Sequence, residues 1–465
     1  MLNTNPRAAL TTTAGAGLSP RVGVSLRVLG WLAGFALAFW LMSAWGQGTS
    51  VHNDFTQNVW LPSRLLLDGV DPYNPTRAEV DVALGSHASA FEDFNSGDDY
   101  HFIYPTWVAL AFTPFALLPL TVALTLWRAL NLLLLVWGVV HLLRVSNPSF
   151  RSSRVAVAAG ITITVFLSLI YRESILTLYL GQFSIIEFGI LAAIWGYFVD
   201  EGRRTKDESN YELRITNYRH GNKSAIRNPQ SAIRIAFVGL GLAVLATKPQ
   251  AIGLPVLLLV LWAISRGRWA VPAWGAASLA FLLFVPVLAY PSSLTDWLGI
   301  VVGGQAGSQA QVSASVWGVS YQWLGDSLTW MAVAAVLSLV GLVALLPHWR
   351  RDLLDRASPV PMSLALTIVI NSIISPYLLG YEHVLLLFPA MLMLAAAGLP
   401  DEQAGRGWKL WRISIYGWLA ALPFVVVAVQ TAVESKEYPV VVQALTMLAL
   451  LYVARLRWRV GESDT

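Results

Sequence analysis

The chain has 465 residues, of which 56% are hydrophobic and 12% charged, with 20 Trp, 35 Gly and no Cys. Soluble domains carry about 25% charged residues, so this composition excludes an ordinary soluble protein. The lack of cysteine excludes a disulfide scaffold, a thiolate metal site and a cysteine nucleophile, while the net charge of +4 reports membrane orientation rather than nucleic-acid binding.

The apolar residues come in blocks of roughly 16–22, long enough to cross about 30 Å of hydrocarbon. The blocks are continuous rather than alternating, which predicts helices and not a barrel. The expected fold class is all-α: a polytopic integral membrane protein with about twelve transmembrane helices. Residues 1–27 form a polar tail carrying Arg7, Arg21 and Arg27, and this basic flank predicts a cytoplasmic N-terminus. The first apolar block, 28–45, is too long for a signal-peptide core and lacks a good cleavage site, so it reads as an anchor. It opens a transmembrane domain expected over 28–455, followed by a cytoplasmic tail over 456–465.

Residues 46–103 hold Asp54, Asp68, Asp71, Glu79, Asp81, Glu92, Asp93, Asp98 and Asp99 against only Arg64 and Arg77. That asymmetry predicts a structured extracytoplasmic loop. Residues 104–120 are apolar but broken by Pro105, Pro114 and Pro119. A crossing there would move the cluster Arg144, Arg151 and Arg154 outside, so a short re-entrant or interfacial helix is expected, with an ordinary second span as the alternative. Further blocks begin near Leu120, Val155, Ile185, Ile235, Ala251, Ala270, Thr329, Met362, Val384, Ile413 and Val440. With this count every basic cluster falls in the cytoplasm. The stretch 200–234 contains a near-repeat, Ser224-Ala225-Ile226-Arg227 and Ser231-Ala232-Ile233-Arg234. Such bias predicts a poorly ordered cytoplasmic loop without catalytic residues. Residues 290–328, rich in Gly, Ser and Gln, are expected as a late extracytoplasmic loop.

The extracytoplasmic ends of the blocks then collect polar residues. Asp54 follows the first block, and Asp71 and Tyr73 lie in an Asp-Pro-Tyr-Asn-Pro turn. Tyr104, Arg172, Gln182, Lys248 and Gln250 follow, and last the run Tyr381-Glu382-His383. Ionisable groups near membrane depth are costly and mark function. Singly, Lys248 and Arg172 could snorkel, and Asp71 could be a turn former; their convergence on one face favours a site. No G-x-S-x-G elbow or Walker motif occurs, and the carboxylates and histidines are not clustered as a metal cage would need. One carboxylate with several cations suits group transfer from a lipid phosphate. The carboxylate takes the proton of an attacking hydroxyl, and the cations stabilise the departing phosphate.

Specific segments carry a family resemblance. They are His52-Asn53-Asp54-Phe55, then Leu65-Leu66-Leu67-Asp68-Gly69-Val70-Asp71-Pro72-Tyr73, Tyr104-Pro105 with Pro114 and Pro119, Gly181-Gln182, Lys248-Pro249-Gln250, and Ser375-Pro376 ahead of Tyr381-Glu382. In their order and spacing the chain resembles the GT-C polyprenyl-phosphate-sugar-dependent glycosyltransferases, and within them glycosyltransferase family 87. The resemblance implies inverting transfer of a sugar, often mannose, from a polyprenyl-phosphate donor to a glycolipid or glycan acceptor. The site would lie on the extracytoplasmic face of the plasma (inner) membrane, among membrane lipids, with no metal or other cofactor. Asp54 matches the family's base and Lys248-Pro249 its donor-phosphate segment. Ser375-Pro376 matches a segment that brings Tyr381, Glu382 and His383 to the site. Arg172, Gln182 and Gln250 are expected beside Lys248 on the donor side, while Asp71, Tyr73 and Tyr104 are expected to position the acceptor or the loop. Two positions depart from the pattern: Thr106 replaces a second proline after Tyr-Pro, and Leu379 stands near a usual tryptophan.

Other classes fit less well. A transporter or flippase would show midplane charges and an internal repeat. A polysaccharide polymerase or ligase would place its key residues in the late loop, where only Asp296 and Asp326 are ionisable.

Overall fold

The computed structural model describes residues 20–46, 53–91, 102–147, 150, 155–215, 229–303, 310–325, 328–355, 363–397, 406–432 and 438–463. Backbone amides inside hydrocarbon must be satisfied within their own segment, which favours helices. Among the described residues every regular element is helical. In chain order the first are α1 (Pro20–Gly46), α2 (Leu61–Leu67), α3 (Arg77–Leu84), α4 (Thr106–Ala111), α5 (Thr113–Ala116), α6 (Leu120–Ser146) and α7 (Val155–Ile170). Then come α8 (Arg172–Leu180), α9 (Ser184–Ile215), α10 (Pro229–Ala246), α11 (Pro249–Ser265), α12 (Ala270–Ala289) and α13 (Ser293–Gly303). The last are α14 (Val316–Leu324), α15 (Leu328–Leu354), α16 (Leu364–Ile374), α17 (Leu387–Ala397), α18 (Arg406–Ala420), α19 (Leu422–Ala432) and α20 (Val441–Ser463).

Helix α6 is central and packs against α1, α9 and α17, while α10 lies along α12 and α11 along α16. The α10–α12 crossing is close because Gly239 has no side chain. A Cβ there would lie 2.5 Å from Trp274 Cβ and 2.7 Å from its carbonyl carbon, and small residues permit such approach between membrane helices. The main core joins Leu135, Phe188, Phe198, Trp262, Ile368 and Phe388. Elsewhere large apolar side chains face outward, such as Leu29, Leu32 and Trp40 on α1 and Leu339, Val343 and Leu346 on α15. Exposed apolar surface of that extent is what a lipid-facing helix presents.

Five helical segments among the described residues are long and apolar enough to cross a membrane, six if the bent pair α7–α8 counts as one span. The sequence blocks number about twelve, and not all of them form described helices of spanning length. Most block starts and helix starts agree within a few residues, while Ile235 and Ile413 fall inside helices that begin at Pro229 and Arg406. The shortfall arises because several blocks give only shorter apolar helices among the described residues, such as α11 with 17 residues and α16 with 11. The α7–α8 pair is bent by 58° at Tyr171.

Residues 104–120 contribute α4, of six residues, which rises about 9 Å, and the still shorter α5. Neither spans a bilayer, and both pack under the first loop. That loop has its own core of Phe55, Trp60, Tyr73, Phe102, Trp107 and Trp127. Trp60 Nε1 donates to the Leu118 carbonyl at 3.2 Å, and Ser63 Oγ donates to the Ala109 carbonyl at 2.7 Å. Thr76 caps α3 through a reciprocal pair with Glu79, the arrangement that satisfies two orphan amides at once.

Three stretches gain helical structure. The stretch 200–234 is not simply a loop: α9 continues to Ile215 and α10 begins at Pro229, taking in the second half of the near-repeat. Glu, Lys and Arg are good helix formers, so loss of apolar character ends the membrane span without ending the helix. The first half of the repeat lies outside the described residues. Residues 290–328 likewise carry α13 and α14; Ser315 opens α14 by accepting from Trp317 N at 3.2 Å. Helix α1 starts at Pro20 and α20 runs to Ser463, each extending beyond its apolar block. His52, Asp98, Asp99 and His101 lie outside the described residues.

Candidate functional site

Asp54 sits where a helix begins. Asn53 is the cap: its Oδ1 accepts from Thr56 N at 3.1 Å and Thr56 Oγ1 at 3.3 Å. This puts the Asp54 carboxylate in the first turn, where the helix dipole favours negative charge. The chain then widens into a π turn, Thr56–Trp60, before α2; such turns are frequent at functional sites. Asp54 remains partly exposed while its neighbours Asn53 and Phe55 are buried. Phe55 rests on Trp127, ring centroids 5.2 Å apart, and against Gly181. Gly181 has φ +71°, and a Cβ on it would lie 2.6 Å from Phe55 Cβ. Both the left-handed backbone and the close approach require glycine there. Trp127 Nε1 donates to the Gly181 carbonyl at 2.8 Å, so the Gly181-Gln182 turn is locked beside the start of the Asp54 helix, with Gln182 buried.

Lys248 lies between α10 and α11, with Pro249 at the first position of α11, where its missing N–H costs nothing. Asn371 of α16 holds this junction by donating from Nδ2 to the Gln250 and Ala251 carbonyls at 3.1 and 2.8 Å. Lys248 Nζ lies 2.7 Å from Glu382 Oε1, with side chains 5% and 2% exposed. It also sits 5.4 Å from the centroid of the Tyr381 ring. The contact is an ion pair without a well-aligned hydrogen bond, so the ammonium's three donors are not used up. Glu382 is fixed by its own turn, Gly380–Leu386, where Oε2 accepts from Leu379 N at 2.8 Å.

Tyr104 and Tyr381 connect the two halves. The Tyr104 hydroxyl interacts electrostatically with Lys248, Glu187, Asp54 and Glu382. That of Tyr381 does so with Lys248, Asp54, Glu382 and Tyr104. Burial pushes the Tyr104 hydroxyl above its ordinary range, against the pull of Lys248, so it stays protonated as a donor. Its ring packs on Phe183 at 5.3 Å. Tyr73 supports Tyr104 from behind: its hydroxyl donates to the Tyr104 carbonyl at 2.8 Å and accepts from Thr106 Oγ1 at 3.1 Å. The threonine that replaces a proline at 106 therefore has a bonding role. Asp71 stands apart, accepting from Tyr73 N at 2.9 Å and Asn74 Nδ2 at 3.0 Å. It shapes the Asp-Pro-Tyr-Asn-Pro turn.

Arg172 and His383 belong to an adjoining network. Arg172 NH1 donates to Glu173 Oε1 at 2.9 Å. The same oxygen accepts from Gln443 Nε2 at 2.7 Å, and Gln443 Oε1 accepts from the Tyr171 hydroxyl at 2.5 Å. Tyr171 also donates to the His383 carbonyl at 3.3 Å, and Thr177 Oγ1 to the Tyr381 carbonyl at 3.0 Å. This network braces the Gly380–Leu386 turn. His383 is fully buried, its ring facing the Leu379 and Gly380 backbone.

The structure thus gathers Asp54, Tyr104, Lys248, Tyr381 and Glu382, with Gln182 on the turn after α8 and Gln250 in the first turn of α11. It places Arg172, His383, Tyr73 and Asp71 in supporting positions. Sequence reading missed Glu187, which is 4% exposed in the first turn of α9 and interacts electrostatically with Lys248 and Glu382. An acidic residue opening an apolar block is the signal that could have found it. It also missed Asn371 and Gln443, whose partners are remote in sequence. Among the described residues no group of three His, Asp or Glu side chains is arranged to hold a metal.

Comparison with known proteins identifies a family. The family model described as glycosyltransferase family 87 matches residues 102–376, more than half of the chain. No curated protein and no solved structure matches.

Proposed function

The chain belongs to glycosyltransferase family 87, and from that premise we propose that it moves a hexosyl group, of the mannosyl type, from a polyprenyl-phosphate sugar to a hydroxyl acceptor. The Asp54 carboxylate takes the acceptor's hydroxyl proton. The freed oxygen attacks the anomeric carbon opposite the phosphate. The carbon–oxygen bond to phosphate breaks, the sugar inverts, and polyprenyl phosphate leaves. Lys248 and the protonated Tyr104 hydroxyl stabilise the charge that gathers on the phosphate, and no metal takes part. The acceptor is a glycolipid or glycan, and the reaction runs at the extracytoplasmic face of the plasma membrane. The scarcity of basic residues in 46–103, only Arg64 and Arg77, supports that orientation.

One observation carries this reading. Base and cation, remote in sequence, share the same two tyrosines: Lys248 Nζ lies 5.4 Å from the centroid of the Tyr381 ring, and the charges of both Asp54 and Lys248 act on the Tyr104 and Tyr381 hydroxyls. The test is turnover of labelled polyprenyl-phosphate sugars by purified Asp54→Asn. Loss of a general base lowers the rate by about 10²- to 10⁴-fold while donor binding persists. Near-normal release of polyprenyl phosphate would remove Asp54 from the role.

A further inference from the structure

Helix α9 opens into the site with two buried polar side chains, Ser184 at 0% and Glu187 at 4% exposure. Their spacing of three places them on one face of the helix. Ser184 Oγ and Glu187 Oε2 each lack a hydrogen-bond partner among the described residues. Buried polar atoms are nearly always partnered, and an exception asks for a reason. The reason is not an ion pair. Lys248 gives its close contact to Glu382 at 2.7 Å, and Glu187 has no salt-bridge partner among the described residues, although Lys248 and Glu382 are its charged neighbours.

The charge count argues the same way. One ammonium faces two buried carboxylates, with Asp54 acting on the same tyrosines. A further anion gains nothing beside Glu187, so the donor phosphate belongs on the Lys248 side. A neutral polyol gains most, because its hydroxyls donate to a carboxylate oxygen and accept from a serine hydroxyl. We propose that Glu187, with Ser184, forms the subsite that holds hydroxyls of the donor's pyranose ring, making Glu187 a specificity-determining residue. The inference rests on the glycosyl-transfer reading and deepens it. Glu187 selects the sugar, Lys248 and Tyr104 handle the phosphate, and Asp54 handles the acceptor.

The experiment uses the full chain in detergent with polyprenyl-phosphate sugars that are epimers, or deoxy analogues, at single ring hydroxyls. Wild type is expected to prefer one sugar. Glu187→Gln is nearly isosteric and should fold. It should lower kcat/KM for that sugar by about 10- to 100-fold, the size of one hydrogen bond to a charged group, mainly through KM. The loss should vanish for the deoxy analogue that lacks the bonded hydroxyl, and discrimination among epimers should narrow. Ser184→Ala should narrow it in the same sense but less. An equal loss on every donor, analogue included, would show a merely structural role and overturn the proposal. Failure of wild type to consume any donor would instead overturn the glycosyl-transfer reading, and this inference with it.

Discussion

The buried ion pair offers the sharpest energetic test. Lys248 and Glu382 meet at 2.7 Å with almost no solvent contact. At an effective dielectric of about 20, Coulomb's law gives about 6 kcal/mol of attraction at that separation. Desolvation of both groups offsets much of it, so the pair adds little net stability, yet breaking it is costly. Lys248→Met leaves Glu382 and Glu187 facing each other without a cation and should destabilise by about 3–5 kcal/mol. Glu382→Gln leaves the ammonium with Glu187 as a remaining neighbour and should cost less, about 1–3 kcal/mol. The double variant should be more stable than the sum of the singles implies, by about 1–3 kcal/mol, since residues in contact couple on that scale. Denaturant unfolding in mixed micelles, followed by tryptophan fluorescence, measures all four corners of the cycle. Strict additivity, or a Lys248→Met protein as stable as the parent, would refute the pairing. Activity should be lost in Lys248→Met and in the double variant alike, because restoring charge balance does not restore the phosphate contact.

The first loop provides the remaining tests. Gly181→Ala must adopt φ +71° with its Cβ 2.6 Å from Phe55 Cβ. Left-handed backbone alone costs about 1–2 kcal/mol, and displacement of Phe55 should lower turnover with stability; Gly30→Ala inside α1, whose Cβ meets nothing within 4 Å, should leave turnover unchanged and raise stability slightly, by about 0.5–1 kcal/mol. Tyr73→Phe removes the hydroxyl that bridges Thr106 and the Tyr104 carbonyl. It should cost about 1–3 kcal/mol by leaving buried groups unsatisfied, seen as a lower unfolding midpoint and faster proteolysis within residues 53–91; unchanged protection would remove Tyr73 as the latch.

Much was legible in the sequence because it is written locally. Apolar blocks near Leu120, Val155, Ala270 and Thr329 mark helices starting within a residue or so of those positions. Pro105, Pro114 and Pro119 mark a segment that breaks into short helices. Asp71-Pro72-Tyr73-Asn74-Pro75 is a turn closed by the Asp71 side chain. Hydropathy and proline chemistry act over a few residues, so one strand of text reveals them. Length deceived where it stood for structure. The polar stretch after Asp200 stays helical to Ile215, since helix propensity and membrane insertion are separate properties.

What the sequence left open is who meets whom. It offered Lys248 and Arg172 as two equivalent cations on one face. Packing of the Gly380–Leu386 turn against α8 and α9 sets Lys248 on Glu382 and draws Arg172 into the Glu173 and Gln443 network. The sequence marks Glu187 as an acidic residue opening an apolar block, but does not show that Glu187 lies near that pair. Charge interactions depend on distance through space and on burial, and both are properties of the packed helices. The chain alone therefore fixed which groups could act, and the tertiary fold decided which of them share one desolvated site.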